Sequence, residues 1–131
     1  REGTDLTVFA SSWMVHRSLE AAQILATEGI SVEIVDPRTL VPLDEEMILR
    51  SVAKTGRLLV VDECHLRCGV GSEIAAMVAE HAHNDLVAPI RRVATLDVPV
   101  PFSPPLEEYV EPTTAKILDA ARSLTGIQSG D

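Results

Sequence analysis

Residues 57–73 read RLLVVDECHLRCGVGSE: four unbroken apolar residues, a polar loop, then glycines spaced as GxG ahead of a helix-like segment. An apolar run this continuous suits a parallel strand buried on both faces, since neither face then tolerates polar side chains. The pattern places a strand at 57–61 and a helix at about 72–84, with Ile74, Met77, Val78 and His81 on one stripe. The intervening loop holds two cysteines, a histidine, an arginine and acids. It is either a catalytic loop or only the place where a strand turns into a helix.

Working outward, the same alternation recurs. Residues 6–10 (LTVFA) form a short apolar run, followed by Val15, Leu19, Ala22, Leu25 and Ala26 at helical spacing and by Gly29 where a helix C-cap belongs. Residues 31–35 (SVEIV) make a second strand. Asp44 reads as an N-cap with Leu43 and Ile48 stapled across it, Glu45 and Glu46 suit the positive end of the helix dipole, and Gly56 ends that helix. Residues 90–94 (IRRVA) form a more polar strand nearer a sheet edge. The proline-rich stretch 98–105 is expected to be neither helix nor central strand. Pro112 is expected to open a last helix carrying Ile117, Leu118, Ala121 and Leu124. Strand-helix alternation repeated four times implies an α/β domain with a mostly parallel sheet covered on both faces. The domain is expected over 1–125, with a disordered tail at 126–131.

Bulk properties narrow the class. A length of 131 residues suits one domain, and 46% hydrophobic with 24% charged residues suits an ordinary globular protein. The net charge of −9 argues against nucleic acid and against an anionic membrane surface, whereas a basic protein partner would suit it. No apolar run approaches the roughly 20 residues needed to cross a bilayer, and no signal-peptide pattern opens the chain. Two cysteines four apart do not make a disulfide framework, so reduced thiols and a cytoplasmic-type compartment are expected. The chain opens at Arg1 and reaches a strand almost at once, which suggests a piece of a longer polypeptide.

The chemical candidates thin out on inspection. A structural zinc site needs about four ligands, commonly in two spaced pairs, but Cys64, His65 and Cys68 form one cluster and His16, His81 and His83 have no paired spacing. A C-x5-R phosphatase loop starting at Cys68 would need arginine where Ile74 stands, and Gly71-Ser72-Glu73 lacks the second glycine of a serine nucleophile elbow. The GxG at 69–71 lacks its third glycine and follows the third strand rather than the first, so tight turning explains it better than dinucleotide binding. One collective feature remains. Asp36, Asp62, Glu63 and Asp97 all fall at or just after the carboxyl ends of the strands, the edge where open α/β sheets carry functional loops. They suit general acids or bases, a cation site, an acidic docking rim or solvated loop ends. Docking is the most economical of these, because no base, nucleophile or metal spacing accompanies them.

Several blocks carry a family resemblance. AQILATEG (22–29), SVEIVDPRTLVPL (31–43), TGRLLVVDE (55–63), GVGSEIAA (69–76) and DVPVPFSPPLE (97–107), with Gly3-Thr4-Asp5 ahead of them, resemble the C-terminal domain of transketolase-like thiamine enzymes. The PVPFSPPLE segment is most similar to the beta subunits of the decarboxylating component of 2-oxo acid dehydrogenase complexes, among them the pyruvate, branched-chain and acetoin enzymes. The resemblance spans about residues 3–124. It implies a three-layer α/β/α fold with a mostly parallel, about five-stranded sheet.

The resemblance also implies a division of labour. Thiamine diphosphate and Mg would sit in other domains of the parent oxidoreductase, so no catalytic, cofactor or metal residue is expected here. The domain would pack an alpha2beta2 heterotetramer, contacting the alpha subunit and the second beta subunit. It would also help dock the basic peripheral-subunit-binding domain of the acyltransferase core. The acidic docking position of such subunits corresponds to Asp97, with Glu63 and Asp36 as further acids on the expected rim. Cys64, His65 and Cys68 inherit no role, and the parent would work in bacterial cytoplasm or the mitochondrial matrix. The competing readings are the equivalent domain of a transketolase or deoxyxylulose-phosphate synthase, and a free-standing small enzyme built on the 62–71 loop.

Overall fold

A computed structural model describes residues 1–126. Four strands form one sheet: β1 (Leu6–Ala10), β2 (Val32–Val35), β3 (Leu58–His65) and β4 (Arg91–Thr95). They lie in the order β2-β1-β3-β4, and each neighbouring pair is parallel. Five α-helices complete the described residues: α1 (Met14–Thr27), α2 (Glu45–Thr55), α3 (Val70–His81), α4 (Pro104–Val110) and α5 (Thr114–Thr125), with a 3-10 turn at His83–Asp85.

The pleat of the two inner strands sorts their side chains into two cores. Leu6, Val8 and Ala10 of β1 with Leu59 and Val61 of β3 pack under Ala21, Ala22 and Leu25 of α1 and Ile117, Ala121 and Leu124 of α5. Phe9, Leu58 and Val60 point the other way, onto Ile48 and Val52 of α2 and Ile74, Met77 and Val78 of α3. All five β1 residues are therefore buried, as are the first five of β3. That double burial makes the three layers expected from the sequence.

Local signals explain the helix ends. The Asp44 carboxylate accepts from the Met47 N–H (3.0 Å), and Leu43 and Ile48 pack in one cluster across it. Gly29 (φ 81°) closes α1 with two bonds, its own N–H to Ala26 and the Ile30 N–H to Leu25, an αL termination that a side chain at 29 would strain. Gly56 (φ 69°) and Gly126 (φ 80°) end α2 and α5 in the same conformation. Gly126 is thus the cap of a helix rather than the first residue of a tail, and the expected disorder at 127–131 falls outside the described residues.

Other expectations need correction. Among the described residues the sheet has four strands, not about five; the outer edge of β2 carries only a reciprocal pair of backbone bonds between Ile34 and Arg1 (2.9 and 3.2 Å). Pro104 and Pro105 lie inside α4, because the first turn of a helix needs no N–H from those positions. Pro112 precedes α5 rather than opening it; Thr113 is the N-cap, accepting from the Lys116 N–H (3.2 Å). His81 ends α3 exposed instead of joining the stripe of Ile74, Met77 and Val78.

One polar contact is sealed inside. Thr7 Oγ1, fully buried on β1, shares hydrogen bonds of 2.8 Å with both Ser51 Oγ and Thr55 Oγ1 of α2. Thr7→Val keeps the shape but leaves two buried hydroxyls short of a partner, so urea denaturation should show a loss of about 1–3 kcal/mol. An unchanged midpoint would mean those hydroxyls find other acceptors.

Candidate functional site

The carboxyl edge of the sheet collects the chain's unusual features. Among the described residues three non-glycines have left-handed backbone: Ser12 (φ 53°), Arg38 (φ 58°) and Cys68 (φ 56°). They follow β1, β2 and β3 respectively, so each lies in a loop at that one edge. Such conformations cost about 1–3 kcal/mol each for side-chain-bearing residues and gather where a surface is shaped for use.

Apolar exposure gathers there too. Trp13 follows β1 and Leu40 and Val41 follow β2. Leu96, Val98, Val100 and Phe102 follow β4, and Leu106 and Tyr109 lie on α4, whose Val110 carbonyl accepts from the Leu96 N–H (3.1 Å). These make nine of the eleven large exposed hydrophobics among the described residues, with Val41 92% and Phe102 fully accessible. Scattered apolar residues need no explanation, but a set concentrated on one edge has the make-up of an interaction surface. The groove between α4 and the starts of α1 and α5 is lined by Glu107, Glu108 and Glu111 against the single cation Arg17. The edge is therefore apolar with a negative bias.

The loop singled out by its chemistry is a structural joint. β3 does not stop at Val61 but continues to His65, and its pairing with β4 slips between Asp62 and His65, leaving Glu63 and Cys64 bulged outward. Asp62 is 3% exposed, which removes it from the expected acidic rim. Its Oδ1 accepts from the Cys64 N–H (3.1 Å) and its Oδ2 from the Gly71 N–H (3.0 Å). Gly69, the N-cap residue of α3, has no side chain to offer, so Asp62 supplies the cap from the strand. Gly69 is also closely packed: a Cβ there would stand 2.5 Å from the His65 carbonyl oxygen. The start of α3, where a GxG would cradle phosphate, is thus already taken by an internal anion.

The other candidates fall into place around this joint. His65 Nε2 donates to the Val98 carbonyl (3.1 Å), the Leu66 N–H to the Thr95 carbonyl (2.9 Å), and Thr95 Oγ1 to the Glu63 carbonyl (2.8 Å). Arg92 ties Leu66 and Ser72 together through bonds of 2.8 and 2.7 Å from one nitrogen. Cys64 and Cys68 are exposed free thiols. Partial desolvation of the sulfur, then the neighbouring Asp62 carboxylate, push the Cys64 thiol above its ordinary value, the reverse of what activates a nucleophile. Among the described residues no three His, Cys, Asp or Glu are placed to hold a metal ion.

The three expected docking acids are not one cluster. Asp97, two residues past β4, is held by Arg67: its Oδ1 accepts from the Arg67 N–H (3.0 Å), and its Oδ2 pairs as an ion with the guanidinium Nε (3.0 Å). Glu63 lies on the adjacent β3 bulge, exposed. Asp36 follows β2 at the opposite sheet edge, three strand spacings or about 14 Å from β4, and pairs with Arg38 (3.5 Å). Sequence reasoning missed the apolar edge, although the four large apolar residues at 96, 98, 100 and 102 in a segment too proline-rich to be buried in a sheet were its visible signal.

Comparison with known proteins adds to this geometry. The family described as "Transketolase, C-terminal domain" matches residues 1–117. The beta subunit of acetoin:2,6-dichlorophenolindophenol oxidoreductase from Bacillus subtilis (strain 168) is 46% identical over 126 residues, covering 96% of this chain and 37% of that protein. The like-named subunit from Cupriavidus necator is 51% identical over 122 residues, covering 93% and 36%. The mitochondrial pyruvate dehydrogenase E1 component subunit beta of Dictyostelium discoideum is 43% identical over 125 residues, covering 95% and 35%. The chain thus spans little more than a third of the length of these relatives. Among solved structures, "Split gene transketolase, inactive beta4 tetramer" superposes with a TM-score of 0.82 at 29% identity, covering 98% of this chain and 41% of that one.

Two measurements check the joint. Asp62→Ala should cost about 1–3 kcal/mol in urea denaturation, because it orphans the Cys64 and Gly71 N–H groups; Asp62→Asn, which keeps an acceptor, should cost less. In a Cys68→Ser background, alkylation of Cys64 by iodoacetamide should reach half its limiting rate above pH 8.5, the region of an ordinary thiol. A half-point below that value would restore the nucleophile reading.

Proposed function

This chain belongs to the transketolase C-terminal domain family, and on that footing we propose that it is the C-terminal assembly and docking domain of a 2-oxo acid dehydrogenase beta subunit. The observation that carries the reading is the carboxyl edge: nine of the eleven large exposed hydrophobics among the described residues on one side, with three left-handed loop residues. A surface of that make-up needs a protein neighbour rather than a small substrate. The proposed neighbours are the alpha subunit and a second beta subunit of the parent, which form the heterotetramer. The relatives that support this are named as beta subunits, and the superposed transketolase is named as a tetramer.

The parent enzyme, in this reading, uses thiamine diphosphate and Mg to decarboxylate a 2-oxo acid and passes the acyl group to lipoamide on the acyltransferase core. The cofactor supplies the electron sink for that decarboxylation. The residues described here do not fit it: the one glycine turn that resembles a phosphate cradle is filled by Asp62, and no acid cluster is placed for a cation. The chain's own part is to hold subunits together and to receive the core. Asp97 on the β4 side is the docking acid of this proposal, with exposed Glu63 beside it. Asp36, at the far edge, belongs to a separate stretch of the same surface. A basic subunit-binding domain suits a chain of net charge −9, and charge complementarity there governs encounter and partner choice.

In the parent enzyme, Asp97→Lys should weaken binding to the acyltransferase core about tenfold or more at low salt, since like charges at an interface cost several kcal/mol. The difference should shrink as ionic strength rises past ~0.15 M, where the Debye length is ~8 Å. Thiamine-dependent decarboxylation of the 2-oxo acid, assayed with an artificial electron acceptor, should persist. Unchanged core binding removes the docking assignment, and lost decarboxylation with intact binding moves this domain into the catalytic machinery.

A further inference from the structure

Asp97 does not face solvent as a free carboxylate, and the way it is held has a functional reading that rests on the docking role proposed above. Both of its oxygens are engaged by one residue, Arg67, through two chemically different groups. The main-chain N–H of Arg67 donates to Oδ1 at 3.0 Å, and the guanidinium Nε forms an ion pair with Oδ2 across 3.0 Å.

These two contacts differ in permanence. The main-chain donor sits in a loop pinned on either side. The Leu66 N–H bonds Thr95, His65 bonds Val98, and the Gly69 turn that follows is closely packed against His65. The guanidinium instead hangs on a long side chain that is 85% exposed, while the Asp97 side chain is 31% exposed. Ion pairs of that exposure contribute little and exchange readily with solvent. Oδ1 therefore stays fixed by the fold, aiming the carboxylate, whereas Oδ2 carries a counter-ion that can swing away without moving the backbone.

We propose that Arg67 is a built-in competitor for the docking acid: its main chain orients Asp97, and its guanidinium occupies the place that a cationic side chain of the partner takes on binding. A partner must displace Arg67 to reach Oδ2. A lone ammonium or guanidinium arriving without apolar contacts gains little by that exchange. A partner that also covers Leu96 and Val98, which flank Asp97 exposed, gains area that an isolated cation lacks. Arg67 thus screens out polycations in general and reserves Asp97 for a protein whose basic groups are set in an apolar surface. The exchange conserves charge at the site, one cation leaving as another enters.

The test titrates the 131-residue chain at low salt with a recombinant basic peripheral-subunit-binding domain from an acyltransferase core, by calorimetry. Arg67→Gln should tighten binding about two- to fivefold, the range set by an exposed ion pair. Arg50→Gln, which removes another exposed cation, on α2, should give a smaller gain. Asp97→Asn should weaken binding, and adding Arg67→Gln to it should then give no gain beyond that of Arg50→Gln. Melting curves should stay unchanged for Arg67→Gln, since its main-chain bond persists. If Arg67→Gln leaves affinity unchanged or lowers it, or only matches Arg50→Gln, while Asp97→Asn still weakens binding, the competitor role is overturned and docking stands. If Asp97→Asn has no effect, docking at Asp97 and the competitor role fall together.

Discussion

The carboxylate of Asp62 joins the two halves of the loop that every feature of the carboxyl edge depends on. It sits at the point where β3 stops being buried on both faces, and its two oxygens bond forward to Cys64 and further forward to Gly71 at the start of α3. A buried acid of this kind is costly unless its hydrogen bonds are met, and here two backbone donors and a helix N-terminus meet them. The bond to Cys64 holds the bulge, and the bulge turns Glu63 outward. The bond to Gly71 brings α3 close to the strand, which requires the small residues at 69 and 71: a Cβ on Gly71 would lie 3.0 Å from the Val60 side chain. Arg67, midway between those anchors, is thereby presented to Asp97. The chemistry concentrated in this stretch is spent on shape.

That distinction separates a docking surface from a catalytic one. Catalytic sites arrange titratable groups so that their environments shift them toward the working pH and face a cavity. At this edge the resolved shift is that of Cys64, and it runs away from reactivity. What the edge offers instead is apolar area, strained loops and paired charges. The two groups whose environments lower carboxylate pKa values, Glu28 and Glu33, lie elsewhere and have structural partners. Arg122 bonds Glu28 and holds it low. For Glu33 burial pushes upward, but Lys54, Ser51 and the Gly3 N–H together outweigh it. Both tie the edges of helices to their neighbours.

Much of the architecture was legible in the sequence because local rules and tertiary context agreed. Leu6–Ala10 was read to the residue, since a buried strand leaves five apolar or small positions in a row. Asp44, Gly29 and Gly56 were legible because caps are satisfied within a few residues of themselves. The failures are those where the deciding partner is distant. β3 runs four residues past the apolar run because β4 continues to pair with it, and nothing local at 62–65 signals a strand. α3 starts two residues early because its cap comes from Asp62, nine positions before the N–H that it bonds. At the candidate site, Asp97 was singled out through the family resemblance, and its docking role stands as a proposal. Arg67 was seen only as a loop residue, because its meeting with Asp97 is made by the β3–β4 pairing.

On the proposed docking role, apolar area and the pinned acid divide the work of recognition at this edge. Burying exposed residues such as Phe102, Val100 and Val98 supplies free energy without direction, since any apolar surface of the right shape receives it. A carboxylate whose orientation is set by a backbone donor adds direction at small entropic cost, because its rotamer is already chosen before a partner arrives. Neither feature alone suffices for a specific encounter. An apolar edge without a charge mark invites association with copies of itself, and an exposed acid without apolar surroundings attracts every small cation. Set side by side on loops locked by Asp62, they make up the combination that the proposed docking role calls for, a partner basic and apolar together.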